Sequence, residues 1–331
     1  MSVFGHAPLE PLHVAVLSGG ESSEREISLK SGASVIRALT ERGHAVITVD
    51  PAETDLMHYD WASIDAAFIA LHGRFGEDGQ VQRILEELEV PYTGSGVQAS
   101  RLAYSKSASK ERFLQHHVPT PPYVLIHESD SAGRIQQQAS SLGYPLVVKP
   151  DTQGSSLGVS IVHSPDELSA ALTRCFHLDA FGILESCIVG AEWTVGLVDD
   201  QVLPPIQIET SRPFFDYQAK YKDDDTVYRF DFEAPEEVVH RITRSARDAC
   251  VALETAGLVR VDVMLDRFQR PWVLEVNTVP GLTDHSLVPK AAGRAGLTLG
   301  ELCEQTLRSC LQAVRDRHQR GPRVPKPNVA G

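Results

Sequence analysis

The most informative part of this chain is Val259-Arg260-Val261-Asp262-Val263-Met264-Leu265, followed by Trp272-Val273-Leu274-Glu275-Val276-Asn277-Thr278. Both runs alternate apolar and polar residues with the period of two that is typical of β-strands. The segment 266–271 between them has the composition of a turn, which predicts that the strands pair antiparallel. One face of the pair would carry the apolar side chains, namely Val259, Val261, Val263, Leu265, Leu274 and Val276. The other face would carry the polar ones, namely Arg260, Asp262, Glu275 and Asn277.

The polar face of this hairpin has the composition of a divalent-cation site. Mg²⁺ prefers hard oxygen ligands, and it usually takes one or two carboxylates while water and phosphate oxygens fill its other positions. Arg260 beside those ligands suits negative charge that develops in a transition state. The alternative is an ordinary solvated face of a sheet. The loop 279–286 after the second strand favours a site, because its Pro280-Gly281 turn could present backbone N–H groups to an anion.

The composition excludes several classes of protein. Of the 331 residues, 42% are hydrophobic and 23% are charged, which predicts a globular chain of two or three domains. A net charge of −13 argues against non-specific binding to nucleic acid or to an anionic membrane. The start of the chain lacks the pattern of a signal peptide, no apolar run is long enough for a membrane span, and the five cysteines are scattered. We therefore expect a cytoplasmic protein with reduced thiols.

The first hundred residues predict a parallel sheet. Short apolar runs at 13–17, 45–49 and 66–71 have the length of buried strands. A helix between the first two would begin with a capping box at Ser23-Glu24-Arg25-Glu26. Alternation of strand, helix and strand brings the loops together at the carboxyl edge of the sheet, where they form a crevice. We expect an N-terminal α/β domain over residues 1–102.

Two further units are predicted to follow this domain. A central α+β lobe would span residues 103–190 and a C-terminal lobe residues 191–314, which leaves 315–331 as a flexible tail. The segment 211–230 is too long and polar for a tight connection, and its aromatic side chains favour a lid over disorder. The predicted fold class is therefore mixed, with α/β and α+β units in one chain.

A glycine-rich loop and a lysine in an apolar strand predict a phosphate site in the central lobe. The loop 153–158 lies between two strands, so it is not a Walker A loop, but its small residues would let backbone N–H groups approach phosphates. An unpaired ammonium inside an apolar strand is costly, so Lys149 either extends to solvent or meets an anion, and the neighbouring loop favours a phosphate contact. A second candidate is Gly19-Gly20 with Asp50, which imitates a dinucleotide-binding fingerprint without its full glycine pattern.

Several motifs, in order from about residue 13 to 312, carry a resemblance to a known family. They include Gly-Glu-Asp-Gly at 76–79, Pro-Tyr-Thr-Gly-Ser-Gly at 91–96, Gly-Ser-Ser-Leu-Gly at 154–158 and Glu-Val-Asn-Thr-Val-Pro-Gly-Leu-Thr at 275–283. With these motifs the chain closely resembles the D-alanine–D-alanine ligases of the ATP-grasp superfamily. The resemblance implies a three-lobed ATP-grasp architecture with an N-terminal parallel-sheet domain. It also implies ATP-dependent ligation of two D-alanines through an acyl phosphate, with release of ADP and phosphate, for peptidoglycan precursor synthesis.

The resemblance further implies roles for particular residues. The ATP-binding set would be Lys106, Lys149, Gly154, Ser156, Glu185, Ile188 and Glu192. Two Mg²⁺ (or Mn²⁺) ions would be held by Asp262, Glu275 and Asn277. The catalytic set would be Glu24, Ser155, Tyr221, Arg260 and Gly281, in which Arg260 and the Gly281 N–H form the oxyanion hole and the first three close the lid. The substrate-binding set would be His72, Lys220, Ser286 and the backbone of Leu287, with Glu24 on the first substrate's ammonium.

The resemblance leaves some points open. Members of the family often have Met-Asp before the first lysine and Glu-Lys at the adenine hinge, where this chain has Tyr104-Ser105 and Glu185-Ser186. Tyr221 favours an amine acceptor, but another ATP-grasp carboxylate ligase, such as a D-alanine–D-lactate or D-alanine–D-serine ligase, is the nearest alternative. A nicotinamide-dependent oxidoreductase and a non-catalytic nucleotide sensor are more distant ones. The resemblance also implies a homodimer, and it leaves activation by K⁺ open.

Overall fold

The computed structural model describes residues 7–210 and 226–320. These residues form one parallel and two antiparallel sheets with helices packed on them, which confirms the predicted mixed α/β and α+β class. Most of the predicted lid, including Lys220 and Tyr221, lies outside the described residues. Tyr228, which we also placed in the lid, instead lies in a strand of the C-terminal sheet.

The N-terminal domain is built on a parallel sheet of three strands in the order β2-β1-β3. Its strands are β1 (His13–Leu17), β2 (Ala45–Val49) and β3 (Ala66–Ile69). Its helices are α1 (Arg25–Glu41), α2 (Gln80–Glu87) and α3 (Val97–Tyr104). The two faces of β1 enter different cores, because Ala15 and Leu17 pack with α2 whereas Val14 and Val16 pack towards the C-terminal lobe.

The predicted capping box at the start of α1 is wrong. The N-cap residue is Glu24, and no side chain caps the helix. Ser22 takes part locally instead, since its hydroxyl donates to the carbonyl of His72 at 2.7 Å and accepts from the Glu24 N–H at 3.2 Å. These contacts fix the loop that carries Glu24 against the loop that carries His72.

The central lobe contains an antiparallel sheet of four strands in the order β4-β7-β5-β6. Its elements are β4 (Tyr123–His127), α5 (Ala132–Leu142), β5 (Leu146–Pro150), β6 (Ser160–Val162), α6 (Pro165–Phe176) and β7 (Phe181–Ser186). Side chains such as Ile126, Leu146 and Val148 form its core with α5 and α6. Helix α4 (Lys106–Gln115) precedes this sheet, yet its Phe113 is buried in the core of the C-terminal sheet, so α4 connects the two lobes physically.

The C-terminal lobe contains an antiparallel sheet of six strands in the order β11-β10-β8-β12-β13, with β9 paired to β8. Its strands are β8 (Gly190–Val198), β9 (Gln201–Val202), β10 (Ile206–Glu209), β11 (Val227–Arg229), β12 (Leu258–Asp266) and β13 (Pro271–Asn277). Its helices are α7 (Glu236–Leu253), α8 (Leu287–Arg294) and α9 (Leu299–Arg320). Helix α9 thus continues beyond the predicted start of the tail at residue 315.

The hairpin of β12 and β13 has the predicted polar face, with Asp262 opposite Glu275 and Arg260 opposite Asn277. The assignment of Leu274 to the apolar face is wrong. The pairing shifts after Asp262, so that Val263 is opposite Val273 and Leu274 is the additional residue of a β-bulge. Val273 and Val276 are therefore buried in the core, whereas Leu274 lines the same cavity as Asp262.

The N-terminal domain and the C-terminal lobe share a hydrophobic core and a buried ionic cluster. Val14 and Val16 of β1 pack in one cluster with residues of α8 and α9. At the end of α1, Arg42 pairs with Glu304 of α9 at 2.8 Å, and His44 contacts the same carboxylate at 3.2 Å. Within the described ranges, no helix is long and apolar enough to cross a membrane.

Candidate active site

Two cavities meet where the three units come together, and they contain most of the predicted site residues. The larger one, of about 420 Å³, lies between the central and C-terminal sheets. It is lined by Lys106, Lys149, Ser156, Glu185, Ile188, Glu192, Asp262 and Glu275, among others. The smaller one, of about 70 Å³, is lined by Glu24, His72, Lys106, Gly154, Ser155, Arg260, Glu275, Asn277 and Gly281, among others. Because Lys106 and Glu275 line both cavities, the predicted nucleotide residues and the predicted substrate residues form two neighbouring groups.

The predicted metal ligands lie on the polar face of the hairpin. The Arg260 guanidinium donates two hydrogen bonds of 2.9 Å to the Asp262 carboxylate, which also accepts one of 2.7 Å from the Thr194 hydroxyl. The Asn277 side-chain oxygen accepts from the N–H of Val279 at 2.9 Å. All three predicted ligands offer the hard oxygens that Mg²⁺ prefers.

This donor set fits a cation that is carried by phosphates rather than enclosed by protein. Among the described residues, no three His, Cys, Asp or Glu side chains are grouped closely enough to hold a metal ion by themselves. Asp262 and Glu275 supply two carboxylates, and Mg²⁺ sites of this kind usually take their remaining oxygens from phosphate and water.

Lys106 is positioned by the N-terminus of α4. The Asp151 carboxylate accepts 2.7 Å hydrogen bonds from the Ser105 hydroxyl and from the Ser107 N–H, so it ties the first turn of the helix to the loop after β5. The Lys106 ammonium donates to the carbonyl of Gln153 at 2.6 Å and lies 3.7 Å from Glu275. Sequence alone gave no reason to bury this lysine, but only 9% of it is exposed.

Lys149 is buried as predicted, but its partner in the structure is a carboxylate of the same chain. Its ammonium donates to Glu185 Oε1 at 2.8 Å, and Lys110 pairs with the other oxygen of that carboxylate. Burial acts to raise the pKa of Glu185, but the two ammoniums outweigh it and hold this pKa below its ordinary value. Burial lowers the pKa of Lys110 to about 8, so this lysine is mainly protonated at neutral pH. The ion pair of Lys149 and Glu185 was not predicted from the sequence, because the two residues are 36 positions apart and the pairing of β5 with β7 brings them together.

The glycine-rich loop closes onto the N-terminal domain through Ser155. Its hydroxyl donates a short hydrogen bond to the carboxylate of Glu24. Ser155 and Ser156 have φ values of 51° and 57°, in the left-handed region that is uncommon for residues other than glycine. Backbone of this kind is found where the surrounding structure requires it, frequently at functional sites.

Sequence analysis also missed two residues of the smaller cavity, Glu77 and Tyr104. Glu77 lies 3.7 Å from His72, whose other ring nitrogen is hydrogen-bonded to Ser31 at 3.0 Å. Burial and the neighbouring Glu24 carboxylate raise the pKa of Glu77 to about 7, against the opposite effect of His72. Burial also raises the pKa of Tyr104. Glu77 belongs to the Gly-Glu-Asp-Gly motif, so its place in that motif was the available signal.

Ser286 and Leu287 line neither of the two cavities. Ser286 is the N-cap residue of α8, and its hydroxyl accepts from the N–H of Thr283 at 3.1 Å. A side chain at Gly281 would lie 2.8 Å from this hydroxyl, so Ser286 is next to a residue of the smaller cavity. Leu287 is buried in the core, which leaves only its backbone for the predicted substrate contact.

Comparison with known proteins gives the family. The family models described as "D-ala D-ala ligase C-terminus" and "D-ala D-ala ligase N-terminus" match residues 113–308 and 50–95, respectively. A D-alanine–D-alanine ligase from Pseudomonas putida (strain GB-1) is 47% identical over 294 residues, which cover 87% of this chain and 90% of the relative. The chain belongs to the D-alanine–D-alanine ligase family.

Solved structures of D-alanine–D-alanine ligases have the same fold as this chain. The enzyme from Bacillus anthracis is 34% identical and superposes with a TM-score of 0.83 over 92% of this chain and 99% of that one. A second structure of that enzyme, complexed with ATP, is matched with a TM-score of 0.81, 31% identity and the same coverage. These matches confirm the predicted ATP-grasp architecture.

In this D-alanine–D-alanine ligase family chain, the apparent dinucleotide fingerprint has a local structural role. The Asp50 carboxylate accepts from the Gly20 N–H at 2.9 Å and pairs with Arg25 at 2.8 Å. Gly19 has a φ of 94°, and a Cβ there would lie 2.3 Å from the same carboxylate. Asp50 therefore holds the turn after β1 against the start of α1.

Proposed function

We propose that this chain joins two D-alanine molecules into D-alanyl-D-alanine at the expense of ATP. The arrangement of the two cavities is the observation that carries the proposal. The larger cavity has the lysines and carboxylates that suit a nucleotide with its divalent cations, and it meets the smaller one at Lys106 and Glu275. A phosphoryl group at that junction would face an amino-acid substrate in the smaller cavity.

The first step is phosphoryl transfer to a carboxylate. A carboxylate oxygen of the first D-alanine attacks the γ-phosphorus of ATP, the bond to the ADP oxygen breaks, and an acyl phosphate forms. Lys106 and Lys149 supply positive charge on the phosphates. Asp262, Glu275 and Asn277 would hold two Mg²⁺ or Mn²⁺ ions, which when bound neutralise phosphate charge during the transfer. In this first step, Glu24 and His72 would orient the substrate through its ammonium.

The second step is attack by the amine of the second D-alanine on the acyl carbon. The resulting tetrahedral oxyanion would be stabilised by Arg260 and the Gly281 N–H, and it collapses with loss of phosphate. The hydrogen bond between Ser155 and Glu24 supports a role for the glycine-rich loop in covering the site. Lys220, Ser286 and the Leu287 backbone are proposed for the second substrate's carboxylate, and Tyr221 for lid closure.

Family membership supports the remaining parts of this proposal. The product would enter peptidoglycan precursor synthesis in the cytoplasm, and the enzyme would act as a homodimer without nucleic acid or membrane as a partner. Adenine would lie along the hinge of Glu185 and Ile188, with Glu192 on the ribose, and Gly154 and Ser156 would contact phosphates.

The test is an assay of phosphate release and dipeptide formation with ATP, Mg²⁺ and one of three acceptors. D-alanine alone should give ADP, phosphate and D-alanyl-D-alanine in equal amounts. When D-lactate or D-serine is supplied as the acceptor together with D-alanine, turnover of that acceptor should be slower. ATP with Mg²⁺ should also raise the unfolding temperature, whereas NAD should not. Turnover with D-lactate or D-serine but none with D-alanine alone would replace the proposed acceptor.

A further inference from the structure

The carboxylate of Glu185 lies between two buried ammoniums. Lys149 Nζ is 2.8 Å from Oε1, and Lys110 Nζ pairs with Oε2. The Lys110 and Glu185 side chains are 0% and 3% exposed, respectively. Two cations and one anion therefore share a region in which a charge must be compensated locally.

Lys110 does not belong to the walls of either cavity. Glu185 and Lys149 line the larger cavity, whereas Lys110 lies behind them on α4. Its ammonium donates to the Thr120 hydroxyl at 2.6 Å, and that hydroxyl donates to the Val273 carbonyl at 2.8 Å. These contacts anchor Lys110 to the edge of the C-terminal sheet behind the cavity wall, and the wall residue with which it forms an ion pair is Glu185.

We propose that Lys110 is a positioning residue for the nucleotide phosphates, which rests on the proposed function. It compensates the charge of Glu185, so that Lys149 can exchange this carboxylate for a phosphate without leaving a buried anion unpaired. With Lys110 in place, the three side chains carry a net charge of one positive unit. Without it, Glu185 and Lys149 form a neutral pair, and a phosphate must compete with Glu185 for the Lys149 ammonium.

The other charges of the larger cavity make this compensation more important. Four further carboxylates line it, namely Glu192, Glu209, Asp262 and Glu275. Some of them have cationic partners, such as Arg229 for Glu209 and Arg260 for Asp262. An uncompensated Glu185 would nevertheless add another anion directly beside the phosphates, and like charges at short range oppose binding.

The experiment compares the wild type and Lys110→Met with Glu185→Gln and the double variant Lys110→Met/Glu185→Gln. Nucleotide affinity is measured by calorimetry with Mg²⁺ and a non-hydrolysable ATP analogue in the absence of D-alanine. Lys110→Met should bind the analogue about tenfold or more weakly, which corresponds to the loss of one charge-assisted contact. The double variant should bind the analogue within about threefold of Glu185→Gln, because no carboxylate then remains at this position for Lys110 to compensate.

The control is Arg42→Met, which removes a cation from the ionic cluster on Glu304, whose residues line neither cavity. It should lower the unfolding temperature and leave nucleotide affinity unchanged. This separates loss of stability from loss of nucleotide binding.

Unchanged affinity in Lys110→Met, or weaker affinity in the double variant than in the single one, would overturn the inference. If Lys110→Met does not fold, the double variant is compared with Glu185→Gln, and a loss of about tenfold or more between these two overturns the inference. If the wild-type protein binds the analogue but does not ligate D-alanine, the proposed function is refuted. The role of Lys110 in nucleotide binding can still be measured in that case.

Discussion

The hydroxyl of Ser155 donates a hydrogen bond to the carboxylate of Glu24, although the two residues are 131 positions apart in the chain. Ser155 belongs to the glycine-rich loop of the central lobe, and Glu24 is the N-cap residue of α1 in the N-terminal domain. The contact closes the loop across the smaller cavity, so two units of the fold contribute to one site.

Ser155→Ala should lower turnover by about ten- to a hundredfold, since a hydrogen bond to a charged group contributes about 1.5–3 kcal/mol. The unfolding temperature should fall by a few degrees, because the same hydrogen bond also contributes to the free energy of unfolding. Phosphate release and thermal melting measure the two effects. The matched control is Ser140→Ala on α5, which removes a hydroxyl that bonds only within its own helix, to Gln136 at 2.8 Å. Equal turnover in both variants would contradict a role for the Ser155 contact.

Asp262→Asn should raise the Mg²⁺ concentration needed for half-maximal turnover by at least about tenfold, because an amide replaces a charged oxygen ligand. The control is Asp266→Asn at the end of the same strand, whose carboxylate accepts from the N–H groups of Phe268 and Arg270 at 2.9 Å and so holds the hairpin turn. This control should cost stability without altering the Mg²⁺ requirement. A similar shift in Mg²⁺ dependence for both variants would refute the assignment of Asp262.

Glu77→Gln should change the pH dependence of stability. The folded protein keeps the Glu77 proton up to about pH 7, whereas the unfolded chain releases it near pH 4.5, so wild-type stability falls as the pH rises through this window. The variant lacks this loss. Its free energy of unfolding, compared with that of the wild type, should therefore increase by about 2–3 kcal/mol between pH 4 and pH 8.

Urea unfolding at the two pH values measures this gain. The control is Glu87→Gln on α2, whose side chain is 56% exposed, and it should show no such trend. A constant difference between Glu77→Gln and the wild type at both pH values would show that burial of Glu77 does not retain the proton.

Glu304→Ala should destabilise the protein by about 3 kcal/mol or more, because it leaves the Arg42 and His44 side chains without their shared buried carboxylate. Chemical denaturation measures the change. The control is Glu237→Ala, whose 84% exposed side chain pairs with Arg241 at 3.1 Å on the surface of α7, and which should cost less than about 1 kcal/mol. If Glu304→Ala lowers the free energy of unfolding by as little as Glu237→Ala does, the cluster does not hold α9 to the N-terminal domain.

Local patterns in the sequence predicted those parts of the site that depend on neighbouring residues. Alternation with a period of two placed Arg260 and Asp262 on one face of β12, and the structure confirms it. The same rule gave the wrong face for Leu274. A β-bulge shifts the register there, and a shift of one residue moves the side chains to the opposite face of the sheet. The start of α1 was misplaced by one residue, since the N-cap is Glu24 and not Ser23, and no side chain caps the helix.

Strand periodicity and motif spacing are local properties of the chain, so the order of residues was enough to predict the fold class, the family and the polar face of the hairpin. The compensation of buried charges, in contrast, depends on how the chain is folded. The pairing of Lys110 and Lys149 with Glu185, and of Arg42 and His44 with Glu304, joins elements that are distant in sequence. A buried charge is stable only when its partner is brought within a few ångströms, and strand register and helix packing determine which partner that is.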